Sequence, residues 1–185
     1  MRTDDSRLMW SVVGRETLLK TRVFDVELQR ERNAYGLEGD YFALRGPDCV
    51  VTVAETGGEF VLVRQWRHGA ERLVTEFPGG VVDAGEDPRE AARRELFEET
   101  GYKAGRLVHL GSCSPNPAIF KCAYHVYLAE ELEKTGVQHL DRDEVIDVFT
   151  RPVDEVIAGF GSEEYSQAFM GTALAFYLRH RAKKY

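Results

Sequence analysis

One segment of the chain predicts both a helix and the chemistry that the helix carries. Residues 80–102 read Gly-Val-Val-Asp-Ala-Gly-Glu-Asp-Pro-Arg-Glu-Ala-Ala-Arg-Arg-Glu-Leu-Phe-Glu-Glu-Thr-Gly-Tyr. Asp87 suits an N-cap, Pro88 suits the first helical position, and Gly101 suits the left-handed residue that ends a helix. The segment therefore predicts a helix that begins at about residue 88 and ends at Gly101.

Three carboxylates meet at one end of this helix. Residues three and four positions apart share a helix face, so Glu95, Glu98 and Glu99 project together. Such a cluster repels itself unless a cation is present, and an all-oxygen donor set suits Mg²⁺ or Mn²⁺. From spacing alone an ordinary solvated face is the more common explanation, since Arg94 can form helical ion pairs with its neighbours.

The wider segment resembles the Nudix box, G-x5-E-x7-R-E-U-x-E-E-x-G-U, in which U is aliphatic or aromatic. All nine fixed positions match, and they are filled by Gly80, Glu86, Arg94, Glu95, Leu96, Glu98, Glu99, Gly101 and Tyr102. The resemblance implies an α/β fold, the Nudix α/β/α sandwich with a mixed sheet and a loop–helix–loop metal site. It also implies an enzyme that hydrolyses a nucleoside diphosphate linked to another group.

The same resemblance implies roles for individual residues. Glu95 and Glu99 are the expected ligands of Mg²⁺ or Mn²⁺, together with the backbone carbonyl of Gly79. Glu98 is expected to be a further ligand or to assist catalysis beside them. The expected structural residues of the loop and helix are Gly80, Glu86 and Arg94.

Sequence on the amino-terminal side of the box narrows the branch of the family. Residues 63–67 and 76–80 resemble the R-Q-[YW]-R and E-x-P-[AG]-G motifs of ADP-ribose and nucleotide-sugar pyrophosphatases. The implied substrate-binding residues are Arg64, Trp66, Arg67 and Glu76, with Arg67 on the diphosphate. Trp66 is equally consistent with base stacking and with a position in the core.

Sequence on the carboxyl-terminal side leaves the substrate open. Residues 114–118 read Ser-Pro-Asn-Pro-Ala, where ADP-ribose hydrolases more often have Ser-Pro-Gly. ADP-ribose is the leading substrate, with GDP-mannose, other nucleotide sugars and dinucleotides as alternatives. A Nudix-fold sensor that binds ADP-ribose without cleaving it is a further alternative.

An acidic loop over residues 140–146 supplies a candidate general base. In the resembled subfamily a glutamate of such a loop takes a proton from water, and Glu144 aligns best, with Asp143 and Asp141 behind it. The alternative is a loop that is acidic only because it is solvated.

The first 45 residues predict a small antiparallel β region, and Gly46-Pro47 marks a boundary. The predicted domains are therefore 1–46, an N-terminal β region, and 47–185, the hydrolase domain. In the resembled subfamily the β region pairs two subunits, so a homodimer is expected. Arg30 or Arg32 can then reach the partner's site, although a solvated edge strand is the more common reason for such charges.

Composition excludes several classes of protein. The 185 residues carry a formal net charge of −7, which disfavours binding to nucleic acid, and we expect no membrane association because no long apolar run occurs. The three cysteines form no C-x-x-C pair, which favours a reducing compartment over a zinc site or a disulfide framework. Together with the lack of a signal-peptide pattern, this predicts a cytoplasmic protein with a small-molecule nucleoside diphosphate substrate.

Overall fold

The computed structural model describes residues 5–142 and 144–183. These residues fold into two compact units, one comprising the chain up to Pro47 with Ser114–Ala123, and the other Asp48–Cys113 with the chain from Tyr124 onward. After a short 3₁₀ turn, Asp5–Leu8, the strands and helices follow in the order β1 Trp10–Lys20, β2 Asp25–Asn33, β3 Glu38–Arg45, β4 Cys49–Thr56, β5 Glu59–Arg67, β6 Arg72–Glu76, α1 Pro88–Thr100, β7 Tyr102–Cys113, β8 Tyr124–Lys134, β9 Ile146–Pro152, α2 Val153–Gly159 and α3 Ala168–Ala182.

The first unit is the antiparallel sheet β1-β2-β3, which confirms the predicted N-terminal β region. Glu27 is buried on the central strand, where it accepts hydrogen bonds from Arg45 at 2.6 Å and Lys121 at 3.0 Å. These two cations hold the pKa of Glu27 below its usual value. Lys121 belongs to the returning segment 114–123, which the predicted boundaries place in the second domain. The two predicted domain boundaries stay a prediction.

The two arginines that the sequence suggests for a partner's site, Arg30 and Arg32, are paired within this sheet. Arg30 donates to Asp40 at 3.1 Å, and Arg32 donates to Glu38 at 2.8 Å through its Nε. Both pairs are cross-strand neighbours in the β2–β3 register and are largely exposed, so each stabilises the sheet only slightly.

The second unit is a six-stranded mixed sheet with helices on both faces. The strand order is β6-β5-β4-β8-β7, and β9 also pairs with β5; β4 and β8 are parallel, and the other pairs are antiparallel. On one face α1 buries Ala91, Ala92 and Leu96, and on the other α2 and α3 bury Val156 and Tyr177 among others. The predicted α/β/α sandwich is confirmed.

Helix α1 has the ends that its sequence predicts. Asp87 lies at the N-cap and accepts from the Arg89 amide at 2.8 Å, and Gly101 follows the helix with φ of 71°. The sequence pattern also predicts a last helix over residues 163–181, but α3 begins only at Ala168. The Gln167 side chain caps it by accepting from the Met170 amide at 2.6 Å. Within the described residues, none of the helices has the length and apolar character needed to span a membrane.

Candidate active site

A cleft of about 810 Å³ opens in the second unit at the carboxyl-terminal half of α1. Its walls come from β4, the β5–β6 hairpin and the loop before α1, together with His139, Asp141, Glu144, Ser166, Gln167 and Phe169. Glu95, Glu98 and Glu99 all line it, so the structure brings the three predicted carboxylates to one surface.

Two glycines before the helix allow the chain to pass close to these carboxylates. A Cβ atom on Gly80 would lie 2.5 Å from the Glu95 carboxylate, and one on Gly79 would lie 2.2 Å from the Val50 carbonyl oxygen. The Gly79 amide donates to Glu99 Oε2 at 2.8 Å. Glycine is therefore required for steric reasons at Gly79, where a Cβ would meet backbone, whereas a Cβ at Gly80 would displace the Glu95 carboxylate. The Gly79 amide also orients the deepest carboxylate.

Arg94 connects the loop to the helix. Its guanidinium forms a two-point contact with Glu86 at 3.0 and 2.8 Å and also donates to the Val81 carbonyl at 3.0 Å. Nη1 donates to Glu95 at 2.8 Å and to Glu98 at 3.2 Å. Hydrogen bonds from Arg94 lower the pKa of Glu86 and keep its carboxylate ionised. The structural role of Glu86 and Arg94 stays a prediction.

Glu99 is the buried member of the carboxylate group, with 3% of its surface exposed. Burial raises its pKa to about 8, and the nearby charges of Glu95 and Glu144 act in the same direction. Burial also raises the pKa of Glu95. A cation bound among these oxygens would relieve both penalties.

The donor set therefore fits a hard divalent cation, but the carboxylates are held apart in this arrangement. Among the described residues, no three histidine, cysteine or acidic side chains are grouped closely enough to hold a metal ion. The reason is that Arg94 draws Glu95 and Glu98 toward itself, while the Gly79 amide holds Glu99. Side-chain rotation toward a bound ion is needed to complete the site.

Arg67 and Glu76 form the opposite wall. The Arg67 Nε and Nη2 donate to the two oxygens of Glu76 at 2.7 and 2.6 Å, and Glu76 is buried. This contact raises the pKa of Arg67, which therefore stays charged where it lines the cleft. Alternate side chains of a strand face opposite sides, and Gln65 and Arg67 line the cleft.

The structure does not bring Arg64 and Trp66 into the cleft lining. Trp66 is 50% exposed, so it does not lie in the core either. Both residues were predicted to bind substrate, and that role stays a prediction.

The acidic loop reaches the cleft from a different direction. Glu144 and Asp141 both line it, and the Asp141 amide donates to Glu144 Oε2 at 3.1 Å. His139 is hydrogen-bonded through its amide to the Glu98 carbonyl at 2.8 Å, which ties the loop to α1. Asp143, the third acid of this loop, lies outside the described residues.

Sequence reasoning missed a group of lining residues at the start of α3. Tyr124 stacks on Phe169 with ring centroids 4.4 Å apart, and Arg72 Nη2 donates to Ser166 Oγ at 2.8 Å. No local signal identifies them, because Tyr124 follows the alternation of a core strand and Ser166 lies 94 positions after Arg72.

Comparison with known proteins settles the family. The model of the NUDIX domain matches residues 44–169. The chain belongs to the Nudix family. The resemblance of the box is therefore confirmed, and this chain is a Nudix hydrolase, a family that generally uses divalent metal ions and acts on small nucleotide substrates.

Named relatives of this Nudix hydrolase indicate its branch of the family. The chain is 29% identical over 166 residues to an ADP-ribose pyrophosphatase of Bacillus subtilis, covering 89% of this chain and 90% of the relative. It is 34% identical over 142 residues to a methanol dehydrogenase activator of Bacillus methanolicus, covering 76% and 74%. A crystal structure of an ADP compounds hydrolase superposes with a TM-score of 0.83 and 26% identity, covering 95% of each chain.

Proposed function

We propose that this Nudix hydrolase cleaves the diphosphate of ADP-ribose to AMP and ribose 5-phosphate, using Mg²⁺ or Mn²⁺. The observation that carries the proposal is the pair of facing walls in the cleft, Glu95, Glu98 and Glu99 on one and the Arg67–Glu76 pair on the other. A diphosphate needs both cationic contacts and a metal-binding surface, and this cleft supplies them. The similarity to an ADP-ribose pyrophosphatase supports the choice of substrate.

We assign the metal ligands to Glu95, Glu98, Glu99 and the Gly79 carbonyl. Divalent ions bound there would neutralise the diphosphate and lower the pKa of an attacking water. The chain's own contribution is the placement of these ligands, because Arg94 and Glu86 hold the loop that carries Gly79 and Gly80 against α1.

Substrate binding is assigned to Arg67, whose Nη1 is left for a phosphate oxygen once Glu76 occupies its other side. Glu76 acts through Arg67 by fixing the plane of the guanidinium. Proton removal from the attacking water is assigned to Glu144, which lies on the cleft wall and is oriented by the Asp141 amide.

The first unit is proposed to mediate a homodimer. Among the described strands, β1 is an edge of its three-stranded sheet, and ten of its eleven residues are exposed. They include Val12, Val13 and Leu18, so this edge offers both backbone hydrogen-bonding groups and apolar side chains to a second copy. The three cysteines, all of them described, form no disulfide with one another, which supports the cytoplasm as the proposed location.

Chromatographic product analysis tests the activity. Purified protein is incubated with Mg²⁺ or Mn²⁺ and ADP-ribose, GDP-mannose, UDP-glucose, NADH or deoxynucleoside triphosphates. AMP and ribose 5-phosphate from ADP-ribose are the expected products, with Glu99→Gln inactive and Glu90→Gln, an exposed position on the same helix, fully active. Preference for another diphosphate would overturn the substrate, and ADP-ribose binding with no product would identify a sensor instead.

A further inference from the structure

A chain of hydrogen-bonded polar side chains lies outside the cleft, on the edge strand β7, on its neighbour β8 and just before β4. His109 and Ser112 are on β7, His125 is on β8, and Asp48 immediately precedes β4. Ser112 and His125 are direct partners in the antiparallel β7–β8 register. These four described residues are absent from the cleft lining and take no part in the activity proposed above.

The two imidazoles converge on a single oxygen atom. Ser112 Oγ lies 2.8 Å from His109 Nε2 and 2.8 Å from His125 Nδ1. The other ring nitrogen of His125, Nε2, lies 3.3 Å from Asp48 Oδ2. His109 and Ser112 are exposed at this contact, so the point where the two nitrogens meet is accessible from solvent.

The polarity of these contacts leaves a lone pair of His125 directed at that point. The Nε2–H of His125 donates to the Asp48 carboxylate, and the Ser112 hydroxyl hydrogen donates to His125 Nδ1. His109 Nε2 then either donates to Ser112 Oγ or, in the tautomer with hydrogen on Nδ1, faces it with a second lone pair. His125 therefore presents Nδ1 as a lone pair toward Ser112. A histidine whose second nitrogen donates to a carboxylate is the usual arrangement of a metal-binding histidine, since the carboxylate fixes the tautomer and raises ligand basicity.

We propose that His109 Nε2 and His125 Nδ1 bind a divalent ion of the copper, nickel and zinc group, in place of the Ser112 hydroxyl. Asp48 is a positioning residue for His125. Ser112 vacates the position by rotating its side chain to another staggered rotamer. The ring centroids are 6.3 Å apart, and bonds of about 2.1 Å to one ion require them to approach by roughly 1 Å, a movement open to side chains at the surface.

The proposed histidine site and the cleft differ in the type of ligand atom that they offer to a metal ion. Imidazole nitrogens favour copper, nickel and zinc, whereas the carboxylates of the cleft favour magnesium and manganese. Two protein nitrogens leave further coordination positions to water, so the ion is exchangeable rather than locked in a closed structural site. The expected order of affinity is Cu²⁺ above Ni²⁺ and Zn²⁺, with Mg²⁺ not bound.

Calorimetric titration with Ni²⁺ tests the proposal on tag-free, full-length protein kept in excess Mg²⁺, which occupies the cleft. One equivalent is expected to bind the wild type, and His109→Gln and His125→Gln are each expected to lose it. Asp48→Asn is expected to bind at least about tenfold more weakly. Ser112→Ala is expected to bind as tightly as the wild type or more tightly, because it removes the competing hydroxyl.

His68→Gln is the matched control, since His68 is an exposed histidine outside this group. Melting curves establish that each variant is folded, and imidazole NMR signals of the wild type provide a second readout without any substitution. Selective broadening of the His109 and His125 signals by Ni²⁺ is expected. Undiminished Ni²⁺ binding by both histidine variants, or broadening of other histidines only, would overturn the site. Because the readout is binding in the presence of Mg²⁺, the result is independent of whether ADP-ribose is the substrate.

Discussion

Replacing Glu99 with glutamine is expected to stabilise the metal-free protein above neutral pH while abolishing turnover. Glu99 is 3% exposed, and burial raises its pKa from an ordinary 4.5 to about 8. A carboxyl whose pKa is higher in the folded state binds its proton more tightly there. The stability that this provides is complete below about pH 4.5 and is lost as the pH rises toward 8. Glutamine resembles the protonated acid and can still accept from the Gly79 amide, so it removes this loss.

The size of the effect follows from the two pKa values. At about 1.4 kcal/mol for each pH unit, the step from 4.5 to about 8 amounts to at most about 5 kcal/mol in the free energy of unfolding. Between pH 5 and pH 8, the same linkage predicts that the wild type loses about 3–4 kcal/mol more than the variant. This is a large share of the stability of a typical domain.

Urea unfolding at pH 5 and pH 8 in the presence of EDTA measures this difference. Wild type and Glu99→Gln are compared, with Glu90→Gln as the exposed control on the same helix. Mg²⁺ added at pH 8 is expected to stabilise the wild type but not Glu99→Gln. Equal loss of stability by wild type and Glu99→Gln between the two pH values would refute the argument that a buried, destabilising carboxylate lies at this position.

Three further substitutions test other parts of the molecule. Glu144→Gln is expected to lower kcat at least about 100-fold with little change in KM, since it removes a base and not a binding contact. Steady-state kinetics that show an unchanged kcat would place the base at another residue. Arg67→Lys is expected to raise KM about tenfold or more, because lysine cannot contact Glu76 and a phosphate through one planar group. An unchanged KM would contradict the proposed role of Arg67 in binding the diphosphate. Leu96→Ala is expected to reduce the free energy of unfolding by about 2–5 kcal/mol in urea titrations, because the Leu96 side chain on α1 is fully buried in the core. A loss below about 1 kcal/mol would show that the core collapses around the smaller side chain.

Local pattern was enough to predict helix α1 and its chemistry. Asp87 and Gly101 act through their own backbone conformation and nearest neighbours, so their effect on the helix ends can be predicted without tertiary contacts. The same holds for the shared face of Glu95, Glu98 and Glu99, which follows from helical periodicity alone. The predicted beginning of α3 was wrong because Gln167 is compatible with a helix interior as well as with the cap position that it occupies.

Strand residues were harder to place. Arg64, Trp66 and Arg67 are all polar or amphipathic, and only the pairing of β5 with β6 and β9 decides which of them faces the cleft. Segment 114–123 lies well inside the predicted second domain, 47–185, so its position in the chain assigns it to that domain. In the structure, however, Lys121 of this segment pairs with Glu27 of the first unit, 94 positions away. Neither result follows from a local pattern, since both depend on which distant strands become neighbours.

The sequence by itself determined that the chain is a Nudix hydrolase with a carboxylate cluster on one helix, because capping, helical spacing and the box are properties of consecutive residues. Only the tertiary structure decided how those carboxylates differ. Glu99 is buried and holds its proton to about pH 8, while Glu98 remains partly exposed beside Arg94. The physical reason is that ionisation depends on desolvation and on charges brought near by the fold, and these are set by Gly79, Arg94 and Glu144 from three separate segments.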